Sequence, residues 1–146
     1  MDEFALMPDA QESVRRLRAA GLLVIVVTNQ PDRTRGLIST ETMRAMNRVL
    51  FSKLAINDIY ICPHTAFDKC ECRKPKPGLL LRASATWDID LSRSFLVGDR
   101  DSDVEAGLAA GCTTVLLAPS SSRWRAHIVV PTLPEAVDRI TALCLT

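Results

Sequence analysis

The sequence has almost no net charge, no long apolar run, no repeat and no low-complexity linker. Its formal charge is +1 over 146 residues, so no global field draws it to nucleic acid or to a membrane surface. No stretch approaches the ~20 apolar residues that cross a bilayer, and Leu22 to Val27 is only a strand-length run. Met1-Asp2-Glu3-Phe4 carries neither the basic nor the apolar segment of a secretion signal. Five cysteines without such a signal read as reduced thiols in a cytoplasmic protein.

What is present suits one domain, 1–146, with a single core, since 47% of its residues are hydrophobic. Helix and strand patterns alternate along the whole chain. Asp9 with Glu12 reads as a capping box opening a first helix, with Val14 and Leu17 buried and Gly21 as its stop. The run Leu22–Val27 is continuously apolar and mostly β-branched, the pattern of a strand buried on both faces of a parallel sheet.

Ser39 opens a second helix that places Met43, Met46, Leu50 and Leu54 on one side, and Ile59-Tyr60-Ile61 is a short strand. Pro77 stands near the start of a third helix through Trp87. Ser94–Val97 is a strand ending in Gly98-Asp99, and Ser102 with Glu105 reads as a second capping box for a helix stopped by Gly111. Thr113–Leu117 and His127–Val130 are strands, the latter at an edge, and Pro134–Cys144 is the closing helix. This alternation implies βαβ units: an α/β, Rossmann-like, mostly parallel sheet with helices on both faces. Ligands of such sheets bind beyond the carboxyl ends of the strands, and each unusual polar cluster of this sequence falls there.

Four clusters are candidates. Thr28-Asn29-Gln30 offers hydroxyl and amide donors for phosphoryl oxygens, or it is simply a strand-ending turn. Arg33 and Arg35 follow, either as phosphate contacts or as solvated charges. Cys62-Pro63-His64, five residues, then Cys70-Glu71-Cys72 form two ligand pairs of i, i+2 spacing. Side chains two apart on an extended segment point the same way, so the pairs can close a tetrahedral Cys3His site. Four protein ligands leave no open position, which makes a structural Zn2+ the fitting ion for loop 62–72. Cys112 and Cys144 stand apart and read as small hydrophobes. Arg73-Lys74-Pro75-Lys76-Pro77-Gly78 places three cations at a helix start, a phosphate-binding arrangement or a charged helix entry. Gly98-Asp99-Arg100-Asp101-Ser102-Asp103 brings carboxylates to the end of a buried strand, where they suit Mg2+ or serve partly as helix caps.

Taken together these four motifs resemble the haloacid dehalogenase superfamily over nearly the whole chain. The branch they resemble is the cap-less phosphatases acting on heptose bisphosphate, related to histidinol-phosphate phosphatases. The resemblance implies Mg2+-dependent hydrolysis of a small phosphorylated metabolite through an aspartyl-phosphate. It implies that Thr28, with Asn29 beside it, bonds the transferring phosphoryl group. Lys74 would offset negative charge on nucleophile and phosphate. Arg73, with Arg35 and Arg100, would contact substrate, and Asp99 and Asp103 would hold Mg2+. Cys62, His64, Cys70 and Cys72 match the zinc ligands. Pro31-Asp32 stands where many relatives have Ser-Gly.

The resemblance also expects an Asp-x-Asp at the end of a first, central strand before Thr28, where its first Asp attacks phosphorus and its second is the general acid and base. Upstream of Thr28 the only aspartates are Asp2 and Asp9. The sequence therefore reads as an N-terminally shortened form that lacks the strand between those ending at Val27 and Val97. Three expectations follow: little turnover by the chain as given, exposed sheet edges open to self-association, and, as the alternative, a non-catalytic zinc-stabilised phosphate-binding domain. A receiver-type domain fits less well, because receivers place the phosphoaccepting Asp before Thr and Lys, and here the order is Thr28, Lys74, Asp99.

Overall fold

The computed structural model describes residues 9–29, 40–62, 70, 72, 74–119 and 125–144. It forms two compact units, Met1–Cys70 and Glu71–Thr146.

In the first unit, helix α1 (Ala10–Ala19) buries Ala10, Ser13 and Val14, with Leu17 half-buried. This i, i+3, i+4, i+7 spacing gives one apolar stripe. The expected capping box at its start does not form. Asp9 has helical dihedrals, φ −90° and ψ −4°, and its side chain caps nothing. Glu12 instead pairs with Arg15, one turn ahead on the exposed face. Both Gly21 and Gly111 end a helix at positive φ (88° and 85°), a region in which other residues are strained.

Strand β1 spans Ile25–Asn29, three residues later than the apolar run begins. Leu23 is 49% exposed. The reason for the shift is Asn57. Its Oδ1 accepts from the Val24 N–H at 2.8 Å, and its own N–H donates to the Val24 carbonyl at 2.7 Å. Val24 is thus satisfied before the strand ladder starts. Ile25, Val26 and Val27 are half-buried, where burial on both faces was expected of this strand. Helix α2 (Thr40–Lys53) follows. Of its expected stripe Leu54 is buried at 2% exposure, and the side chains of Met43, Met46 and Leu50 lie outside the described residues. Strand β2 (Asp58–Cys62) runs parallel to β1 with Thr28 opposite Ile61 and Asn29 opposite Cys62.

The second unit begins with helix α3 (Gly78–Trp87), then a 3-10 turn (Leu91–Arg93), strand β3 (Phe95–Gly98) and helix α4 (Asp101–Ala110). Strands β4 (Thr113–Leu117) and β5 (Ile128–Val130) and helix α5 (Leu133–Cys144) complete it. The strands pair in parallel in the order β3-β4-β5. Helix α4 packs on β3 and β4, and α5 on β4 and β5. The approach of α4 is close: a Cβ on Gly107 would lie 2.7 Å from Thr114 Cγ2 and 2.8 Å from Leu96 Cδ2. Val104, Val115, Val137 and Ile140 form the centre of this core, each worth about 1.5–3 kcal/mol if fully removed from water.

The architecture is α/β, and among the described residues every strand pair is parallel. Among the described residues the strands form a two-stranded and a three-stranded sheet. In the first, β1 pairs with β2 alone, and in the second, β3 pairs with β4 alone.

Candidate functional site

In each unit the candidate residues follow the carboxyl ends of strands. In the first, the rim carries Thr28 and Asn29 at the end of β1 and Cys62 at the end of β2, held level by the β1–β2 register. Thr28 is buried at 6% exposure, and a buried hydroxyl at a strand terminus needs hydrogen-bonding partners.

In the second, β3 ends in Gly98 and the chain turns through exposed Asp99 and Arg100 into α4. The N-cap is Arg100, so Asp103 occupies the third helical position, where an acid commonly reaches back to the N-cap amide. It does so here: Asp103 Oδ2 accepts from the Arg100 N–H at 3.2 Å. The pairing of Ser102 with Glu105 expected from sequence is replaced by this one, because the helix starts two residues earlier.

The other oxygen of Asp103 meets a lysine. Asp103 Oδ1 lies 2.5 Å from Lys74 Nζ, and the two side chains are 9% and 16% exposed. A carboxylate so little hydrated requires a counter-charge, and Lys74 supplies it. Lys74 sits in the turn before α3, joined to Pro75 by a cis peptide. The structure thus brings together two sequence clusters, 74–78 and 98–103. Asp99 follows the end of β3 and is exposed.

The cysteines converge as the spacing requires. Cys62 Sγ lies 3.5 Å from Cys70 Sγ, and the sulfurs of Cys62, Cys70 and Cys72 all lie within 4.8 Å of one another. Thiolates 2.3 Å from a tetrahedral zinc would stand about 3.8 Å apart, so this grouping fits such an ion. Cys62 and Cys72 are buried and Cys70 is half-buried, which suits a closed structural site. His64, the fourth expected ligand, lies outside the described residues, as do Gln30, Pro31, Asp32, Arg33, Arg35 and Arg73. Cys112 is buried and Cys144 exposed, so only the first reads as a core residue.

The sequence also holds an Asp-x-Asp at Asp88-Ile89-Asp90. Both acids have structural work. Asp88 ends α3 in the left-handed conformation at φ 54°. Asp90 caps the 3-10 turn, its Oδ1 accepting from the Ser92 N–H at 3.0 Å and from the Ser92 hydroxyl. These hydrogen bonds hold its carboxyl below the usual carboxylate range.

Comparison with known proteins adds to this geometry. A model of the HAD-hydrolase-like family matches residues 71–136. The D-glycero-β-D-manno-heptose-1,7-bisphosphate 7-phosphatase of Rhodopseudomonas palustris is 40% identical over 117 residues, covering 72% of this chain and 65% of that protein. The chain thus spans a little under two thirds of that relative's length. The proteins of the same name from Pseudomonas aeruginosa and Pseudomonas putida are 38% and 32% identical, with 68% and 85% of their lengths covered. The crystal structure of D,D-heptose 1,7-bisphosphate phosphatase from B. bronchiseptica, complexed with magnesium and phosphate, superposes with a TM-score of 0.81 at 30% identity. It covers 94% of this chain and 84% of that one.

Proposed function

This chain belongs to the haloacid-dehalogenase-like hydrolase family, and from that premise we propose that it serves Mg2+-dependent hydrolysis of a phosphate monoester on a small sugar bisphosphate. The substrate class comes from its relatives, which are named for a heptose 1,7-bisphosphate. The observation that supports the reading most directly is the part-buried Lys74–Asp103 ion pair, which joins residues 29 apart in sequence.

In this reading each residue has one task. The Lys74 ammonium offsets negative charge on the phosphoryl group and on the group that attacks it, a stabilisation strengthened where water is excluded. Thr28 and Asn29 donate hydrogen bonds to phosphoryl oxygens. Arg100, with Arg35 and Arg73, contacts the second phosphate, a role for which guanidinium is suited by its planar fork. Asp99 gives a carboxylate oxygen to Mg2+, which when bound supplies positive charge to the phosphate oxygens. Cys62, Cys70 and Cys72 with His64 hold Zn2+, which ties the loop after β2 without taking part in the reaction. Phosphoryl transfer also requires an attacking carboxylate in addition to these residues. The residues named here supply phosphate and metal contacts but no attacking carboxylate among themselves, which suits, as a second reading, a zinc-stabilised domain that binds phosphate without turning it over.

One experiment separates the two. Orthophosphate release from D-glycero-β-D-manno-heptose 1,7-bisphosphate is measured in Mg2+ for this chain, and for a version with an Asp-x-Asp strand from a relative joined ahead of Met1. Release by either, abolished by Lys74→Met and Asp99→Asn, is the expected result. Binding of the bisphosphate with no release by either version would establish the binding domain instead. Failure to bind it at all would refute both.

A further inference from the structure

Both oxygens of Asp103 are engaged. Oδ1 is taken by Lys74 Nζ at 2.5 Å and Oδ2 by the Arg100 N–H at 3.2 Å, and the residue is 7% exposed. A Mg2+ at its usual 2.0–2.1 Å from Oδ1 would come within about 4.6 Å of the lysine ammonium at the widest possible angle. Two cations would then share one buried oxygen.

The carboxylate is held from a third side as well. A Cβ added at Gly98 would lie 2.4 Å from Asp103 Cβ and Oδ2 and 2.5 Å from Cγ. Real Cβ atoms do not come that close, and the atoms they would strike belong to a short side chain anchored at both oxygens. The backbone of Gly98 is not in the left-handed region, so its need for glycine is one of space. The last residue of β3 is bare where the Asp103 side chain lies against it. Lysine, by contrast, is a point charge on a flexible four-carbon stem and adopts one position only where something holds it.

We propose that Gly98 and Asp103 are positioning residues for Lys74: the missing side chain at 98 admits the 103 carboxylate, and that carboxylate aims the ammonium. Asp103 is then not a Mg2+ ligand, and the metal role in this motif falls to Asp99. The proposal rests on the phosphatase reading for the purpose of Lys74, though not for the geometry that holds it.

The test uses the whole chain with two probes, inorganic phosphate and MgCl2, each titrated calorimetrically, and follows the Lys74 ammonium by NMR. Asp103→Asn keeps the shape of the side chain and removes its charge. It is expected to weaken phosphate binding at least fivefold while leaving Mg2+ affinity within twofold, whereas Asp99→Asn does the reverse. On a Lys74→Met background Asp103→Asn should weaken phosphate no further, since its effect passes through the lysine. The Lys74 ammonium resonance, slowed in its exchange with water by the ion pair, should vanish in Asp103→Asn and in Gly98→Ala. Loss of Mg2+ affinity in Asp103→Asn equal to that in Asp99→Asn would overturn the proposal. So would a Lys74 resonance that persists in both variants. Should Gly98→Ala fail to fold, Asp103→Asn decides alone. A wild-type chain that binds neither probe would sink the phosphatase reading, and the ammonium resonance would still decide whether Asp103 and Gly98 hold Lys74.

Discussion

Thr114 and His127 are joined reciprocally across the start of the last strand pair. The Thr114 N–H donates to His127 Nδ1 at 3.0 Å, and Thr114 Oγ1 accepts from the His127 N–H at 3.1 Å. Thr114 is 1% exposed, so its amide has no water to fall back on. The imidazole thus completes the ladder of β4 ahead of Ile128, where β5 begins. His127→Ala should cost about 1–3 kcal/mol, the penalty for an orphaned buried donor. Urea unfolding of variant and parent at neutral pH checks this. A midpoint that does not move would show that the strand pair closes without the histidine.

Removing one member of the Lys74–Asp103 pair should be more costly than removing both. With side chains 16% and 9% exposed, Asp103→Ala strands an ammonium in a poorly hydrated place, on the order of 3 kcal/mol. The double variant Lys74→Met with Asp103→Leu should recover part of that loss. A double-mutant cycle in denaturant gives the coupling, and additive single effects would contradict it.

The thiol cluster predicts about one zinc per chain by elemental analysis of protein purified without chelator. Cys70→Ser should lower that stoichiometry and the thermal midpoint together, because binding energy at such a site is also folding energy. Chelation should shift the native chain toward the midpoint of the variant. Equal midpoints with and without metal would mean that the sulfurs gather for packing alone.

Burial pushes the Cys112 thiol above its ordinary value of 9.0. The folded chain then keeps this proton where the unfolded chain releases it. The stabilisation is complete below pH 9.0 and declines as pH rises through the folded value. Between pH 8 and pH 10 the native chain should lose more stability than Cys112→Ala does, as read from paired denaturation curves. Identical losses would show that the thiol ionises as easily folded as unfolded.

The alternation of elements was legible in the sequence because period and punctuation are local. Gly111 stops α4 where expected, and Pro77 stands at the entrance of α3. Strand β2 was recognisable from three β-branched and aromatic residues, though it extends one residue further at each end. Where the reading failed, a distant or competing partner was responsible. Asn57 holds Val24 out of β1, and Arg15 draws Glu12 away from the helix start. Neither competitor leaves a mark on hydrophobic periodicity.

The same division runs through the candidate site. Sequence alone determined which residue types stand at the strand ends, and the ligand spacing of Cys62, Cys70 and Cys72, because chemistry and short-range geometry travel with the chain. Only the tertiary structure decided which groups meet the two oxygens of Asp103. An aspartate after a strand reads equally as a metal ligand, a helix cap or a counter-ion, and the choice depends on what faces each oxygen. Here those neighbours are Lys74, 29 residues away, and the bare Cα of Gly98. A contact of that separation is set by packing, through the way α4 settles on β3, and no local pattern encodes it.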